Sequence, residues 1–283
     1  MRPVWDLLSE TYKEWRKDNA QTLGAALAFY TTFSMAPLLI IIIAIFGVIL
    51  GKETVQVEIL KQAQELIGAQ GAAAVKMMIG AAYRPGAGLP ATIIGILVIL
   101  VGSTSALVML THSLNLIWGA RLNSKAPIWT LIKERLLSFV KILVIGLLLV
   151  LSLLLSIVLS FLTGFFQNLL PVPPFFIEVC DFVFSFLLIT LLFAVVYKVL
   201  PVVKIAWTDV WVGSAITALL FTLGKFLFGM YLARSSIRSA YGAASSLAII
   251  LMWVYYSAQI FLIGAEFTQV YANRYGSQVK PRP

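Results

Sequence analysis

The sequence predicts an all-α integral membrane protein with six transmembrane helices, amphipathic surface helices and cytoplasmic N- and C-termini. Hydrophobic residues make up 60% of the chain and charged residues only 12%. Several uncharged runs, among them Asn19 to Gly51, exceed the ~20 apolar residues that cross a bilayer. Lysine and arginine also fall unequally on the two sides that six crossings define.

In chain order, the opening MRPVWDLLSETYKEWRKDN mixes both signs of charge and has no short apolar core followed by a small-residue cleavage site, so it is expected to remain in the mature protein. Val4, Leu7, Leu8, Tyr12 and Trp15 share one stripe, which predicts an amphipathic helix over 1–19 lying flat on the cytosolic face. The six spans are expected at 22–50, 89–118, 140–165, 181–200, 210–232 and 243–271. Between the first two lies an outer amphipathic hairpin, 52–88. Ile59, Leu60, Ala63, Leu66 and Ile67 recur at helical spacing before the break at Gly68 to Gly71, and Val75, Met78, Ile79 and Ala82 after it. The proline-rich FQNLLPVPPFF at 166–176 reads as a stiff outer turn, and Glu178 and Asp181 as a solvated helix start. Residues 1–275 are expected to form a single polytopic domain and 276–283 a flexible cytosolic tail.

The outer side carries Lys52, Lys61, Lys76, Arg84, Arg234 and Arg238, while the remaining loop and terminal cations lie on the other side, which makes that side cytoplasmic. The net charge of +9 therefore belongs to the cytosolic rim, where anionic lipids attract it. The basic residues are dispersed and accompany no recognition module, which argues against a nucleic-acid partner. The single cysteine, Cys180, makes no internal disulfide and has no neighbour at metal spacing.

Polar residues inside the spans define the candidate site. Pro37 removes a backbone hydrogen bond from the first span, and Tyr30, Thr31, Thr32 and Ser34 cluster around the disturbed turn. Ser103, Thr104 and Ser105 in the second span and Tyr255, Tyr256, Ser257 and Gln259 in the sixth place further polar groups near the midplane, which suggests a shared wet cavity. Hydroxyls that bond back to their own helix are the simpler alternative. Lys225 lies in the outer half of the fifth span, either snorkelling to headgroups or facing an anionic or zwitterionic substrate. His112, Asn115, Glu266 and Gln269 are expected at one depth near the cytosolic face, as a proton-coupled gate or as packing hydrogen bonds.

Three stretches, AALAFYTTFSMAPLL (Ala25 to Leu39), STSALVMLTHSLNLIWG (Ser103 to Gly119) and YGAASSLAIILMWVYYSAQIFLIGAEFTQVYA (Tyr241 to Ala272), resemble the YihY/BrkB family of bacterial inner-membrane proteins. YKVLP (Tyr197 to Pro201) and WTDVWVGS (Trp207 to Ser214) fit the same pattern. The resemblance implies a six-helix membrane domain with cytoplasmic ends and suggests export or transport. It also brings a ribonuclease BN label, which one histidine and no cluster of His, Asp or Glu argue against. The expected function is non-enzymatic transport or export of a small polar or amphiphilic solute through a partly polar, proton-coupled central cavity. A lipid or glycolipid translocator is the alternative, and a non-transporting membrane scaffold a third. The expected partners are membrane lipids and that solute, with no cofactor and no metal. No GxxxxGK[ST] loop is present, so the energy would come from a gradient or a partner.

Overall fold

The computed structural model describes residues 2–82, 89–120, 174–234 and 244–278. Every regular element among them is an α-helix: α1 (Arg2–Lys17), α2 (Ala20–Leu50), α3 (Lys52–Ala82), α4 (Leu89–Ile117), α5 (Pro174–Val199), α6 (Trp207–Arg234) and α7 (Ser245–Arg274). Stretches Ala20–Val48, Phe182–Val199, Trp207–Leu232 and Ser245–Arg274 are long and apolar enough to cross a membrane, and α4 contributes a shorter apolar stretch, Thr104–Ile117. The expected third span, 140–165, and Arg84, Arg238 and most of the loop ahead of that span lie outside the described residues.

Helix α7 is the hub, packing against α1, α2, α3, α4 and α6. Its junction with α6 rests on small residues that interlock reciprocally. Gly213 of α6 faces the side chain of Thr268 on α7, and Gly264 of α7 faces that of Thr217 on α6. Each threonine sits four residues beyond a glycine and donates to it, Thr217 to the Gly213 carbonyl at 2.7 Å and Thr268 to the Gly264 carbonyl at 2.6 Å. The hydroxyls are thereby satisfied within their own helices, and the missing glycine side chains let the two backbones approach. Tyr197 of α5 completes the junction. Its buried hydroxyl donates to the Phe261 carbonyl at 2.7 Å and lies 3.1 Å from Thr217 Oγ1.

The apolar core divides between the two ends of this bundle. Around Tyr197 it joins Leu27, Leu114, Trp118, Leu200, Ile205 and Leu262. At the other end Leu39, Ile43 and Phe46 of α2 meet Phe228, Ile250 and Trp253, and α3 covers them with Val55, Ile67, Val75 and Ile79. Helix α3 achieves this by breaking at Gly68, whose φ of 73° is open to glycine at little cost. Helix α2 runs unbroken through Pro37, and the proline ring lies against Gly102 of α4, where a Cβ would stand 2.9 Å from Pro37 Cγ.

A valine at Gly264 must displace both Thr217 and Tyr197. Gly264→Val is therefore expected to destabilise the detergent-solubilised protein by about 2 kcal/mol or more, as overpacking does, read as a lowered melting temperature against wild type. Gly229→Ala, where no atom lies within contact distance, serves as the tolerated control.

Candidate functional site

The first segment to reach α7 comes from its own N-terminal side. Asn19 takes the left-handed conformation at φ 50°, which turns the chain sharply between α1 and α2. Helix α1 then lies against α7, with Leu7 on Phe267 and Val270 and Trp15 on the core that includes Ala265. Arg274 at the end of α7 reaches Glu10 at 3.3 Å and Asp6 at 3.9 Å.

Beneath this corner lies Glu266. Its side chain is fully buried, and neither carboxylate oxygen has a hydrogen-bond partner among the described residues. Its electrostatic neighbours are Asp18, Glu14 and Lys17. Lys17 is itself exposed and bonded to Glu14 at 2.6 Å, so among the described residues no cation forms an ion pair with the buried carboxyl. An ionised carboxylate in that position carries a desolvation penalty of several kcal/mol unless something binds it. Seven residues earlier on the same face of α7, Gln259 lies over Gly24 of α2 and donates to the Gln21 carbonyl at 3.3 Å, while its Oε1 stays unpartnered. The buried Ser34 Oγ of α2, Thr111 Oγ1 of α4 and Ser257 Oγ of α7 are likewise without a hydrogen-bond partner among the described residues.

The other predicted residues divide into distinct environments. Thr32 donates to Ala28 O at 2.8 Å, Thr104 to Val101 O at 3.2 Å and Ser105 to Val101 O at 2.7 Å, so part of the polar set bonds back to its own helix. Thr31 and Pro37 are half-buried and Tyr30 faces outward; the side chain of Ser103 is outside what the structure describes. Tyr255 is half-buried, and Tyr256 stacks on Phe228 with centroids 6.1 Å apart. Lys225 is half-buried beside Gly224, which contacts Ile260 and Tyr256.

The four residues expected at one depth are not joined by hydrogen bonds to one another. His112 faces outward and Gln269 is half-buried. Asn115 accepts the Val202 backbone N–H at 2.9 Å, closing α4 onto the turn between α5 and α6. Lys198 supports that turn by donating to the Ile205 carbonyl and stacking over the Trp207 ring at 5.4 Å.

Asp209 was not singled out by the sequence reasoning. It is buried in the first turn of α6 and accepts from Ser277 N at 3.0 Å and Ser277 Oγ at 2.6 Å, fastening the segment beyond α7. Tyr197 and Thr217 are equally silent in the sequence, because a tyrosine in YKVLP and a threonine in an apolar helix carry no local mark of a long-range partner. The glycines opposite Thr217 and Thr268 were the available signal.

A family model described as Virulence factor BrkB matches residues 11–283. Similar proteins include a UPF0761 membrane protein of Alkalilimnicola ehrlichii, 26% identical over 92% of this chain and 57% of its own length. Another, from Tolumonas auensis, is 40% identical over 25% of this chain and 24% of its own length. UPF0761 membrane protein MS0032 of Mannheimia succiniciproducens is 38% identical over 34% of each. The matches thus span between about a quarter and just over half of these relatives' lengths. No solved structure matches.

Two outcomes test this end of the molecule. Removing the acceptor in Asp209→Ala should release residues 275–278 and speed tryptic cleavage after Arg274, measured by mass spectrometry of timed digests. At the α1–α2 corner, burial raises the Asp18 carboxyl above its usual range, Lys17 opposes that shift and Glu14 adds to it. A folded-state pKa above the unfolded one gives a contribution that is full below the unfolded pKa and lost as pH rises through the folded value. Asp18→Asn should therefore melt higher than wild type at neutral pH and lose that advantage below about pH 4.

Proposed function

Because the chain belongs to the BrkB family of membrane proteins, we propose that it moves a small polar or amphiphilic solute across a bacterial inner membrane, as a transporter or exporter driven by protons. The observation that carries this reading is Glu266, a sealed carboxyl in a membrane-spanning helix with no hydrogen-bond partner among the described residues. A group in that state is a binding position for a proton or for a cationic part of a solute, and intramembrane acids of this kind mark proton and substrate paths. The unpartnered polar atoms of Ser34, Thr111, Ser257 and Gln259 support the reading. They belong to α2, α4 and α7, which pack against one another, and they offer a hydrogen-bonding route along those helices.

In this proposal the domain has six spans with both termini cytoplasmic, following the distribution of lysine and arginine. Glu266 then lies toward the cytoplasmic side, about 12 Å along α7 from Arg274 at the helical rise. Lys225 stands toward the opposite side and contacts the solute. Neither role requires a covalent step, so the protein acts without enzymatic chemistry.

The test uses proteoliposomes loaded with a pH-sensitive dye, with small amines, amino acids and amphiphiles added outside under an imposed pH gradient. A solute-dependent pH change is expected with wild type. Glu266→Gln should reduce it by about tenfold or more, the size expected when a positioned proton-transfer group is lost. Lys225→Ala should raise the solute concentration needed for half-maximal flux. Undiminished flux in Glu266→Gln overturns the assigned role, and tolerance of both substitutions across every solute favours a scaffold.

A further inference from the structure

Helix α1 has two apolar faces, and only one of them meets the bundle. Leu7 and Thr11 are buried and Trp15 packs on the core, whereas Trp5, Leu8 and Tyr12 are 74%, 50% and 57% exposed. At about 100° per residue the exposed three fall on one narrow ridge beside the buried arc, and Asp6, Glu10, Lys13 and Arg16 fill the opposite side. A Trp–Leu–Tyr ridge on an otherwise charged helix has the composition of an element lying in the lipid interface.

The surroundings identify the occupant. Trp207 and Trp211 at the start of α6 and Tyr275 just beyond α7 are exposed at the same end of the bundle. Exposed tryptophan and tyrosine at one end of a spanning bundle form the belt found at headgroup level. The ridge on α1 continues that belt, because Arg274, the residue before Tyr275, holds α1 through Asp6 and Glu10.

The adjoining buried arc of α1 covers Glu266. Leu7 packs on Phe267, Trp15 packs on the core containing Ala265, and Glu14, Lys17 and Asp18 are the charges around the buried carboxyl. We propose that α1 is an interfacial lid, whose Trp5, Leu8 and Tyr12 insert among the lipid headgroups of the adjoining leaflet and hold the helix closed over Glu266. What the lid regulates rests on Glu266 being the proton or solute group proposed above; the insertion does not.

The experiment separates these parts in full-length protein reconstituted into phosphatidylethanolamine and phosphatidylglycerol vesicles. In a Cys180→Ala background, Leu8→Cys carries a fluorophore that is challenged with nitroxide lipids labelled at the headgroup and with aqueous iodide. Insertion predicts stronger quenching by the nitroxide lipid. Stronger quenching by iodide puts the ridge in water, and shielding from both puts it under a second copy or another protein; either overturns the proposal. In the same background, Glu266→Cys reports closure through its rate of modification by a water-soluble thiol reagent. Adding Trp5→Ser and Tyr12→Ser should raise that rate by about tenfold, as expected when local opening exposes a buried site. An unchanged rate overturns the lid. Hydrogen exchange over 262–268, with Glu266 intact and the two ridge substitutions present, reads the same opening if the cysteine variant does not fold. These readouts do not involve flux, so a failure of the transport reading leaves them standing and remains distinguishable.

Discussion

Everything at the end of the bundle that holds Glu266 depends on how closely α6 and α7 approach. Two glycines remove the side chains that would separate the helices, and two threonines fill the space while keeping their hydroxyls bonded to their own backbones. Lipid supplies no hydrophobic force between apolar helices, so association in a membrane relies on this kind of close packing and on hydrogen bonds between helices. Tyr197 contributes such a bond, from α5 to the backbone of α7. With α7 fixed in this way, its remaining faces are available to α1, α2, α3 and α4.

Against that rigid junction, the face of α7 toward the α1–α2 corner is unusually polar and poorly satisfied. The threonines, Tyr197, Asn115 and Asp209 all have partners, which is the normal condition of buried polar groups. Glu266 and the Oε1 of Gln259 have none among the described residues. The contrast around α7 separates residues that hold the fold from residues whose burial has to be explained by something they bind. It assigns the first role to the α6-facing side of α7 and leaves the second to its α1- and α2-facing side.

The membrane class and the positions of most of the described helices were legible because they depend on run length and composition, which are local; the helix from Pro174 is an exception, starting inside the stretch 166–176 expected to be a turn. The break at Gly68 and the amphipathic character of α1 were legible for the same reason. Partner choice was not. Asn115 and Glu266 share a depth, and depth alone suggested a common layer, but Asn115 bonds to a turn that lies far away in sequence. For Thr32, Thr104 and Ser105 the position in apolar helices suggests cavity groups or hydroxyls that bond back, and each donates to a carbonyl three or four residues earlier in its own helix. Asp209 gave no hint of its role, since an acid in a first helical turn is ordinary. The sealing of Glu266 was equally hidden, because it depends on α1 folding back at Asn19.

The central place of α7 also bears on how the chain is made. Spans enter the membrane in the order of synthesis, and α7 follows every helix it organises. Until it arrives, the Tyr197 hydroxyl lacks its carbonyl acceptor, the small surface of Gly213 is uncovered and α1 has no apolar face to settle on. Until then the earlier helices have only the contacts they make among themselves, chiefly α2 with α3 and α4, and α5 with α6. Assembly of this bundle is completed only once α7 is made, and a nascent chain that stalls before α7 leaves those groups without their partners.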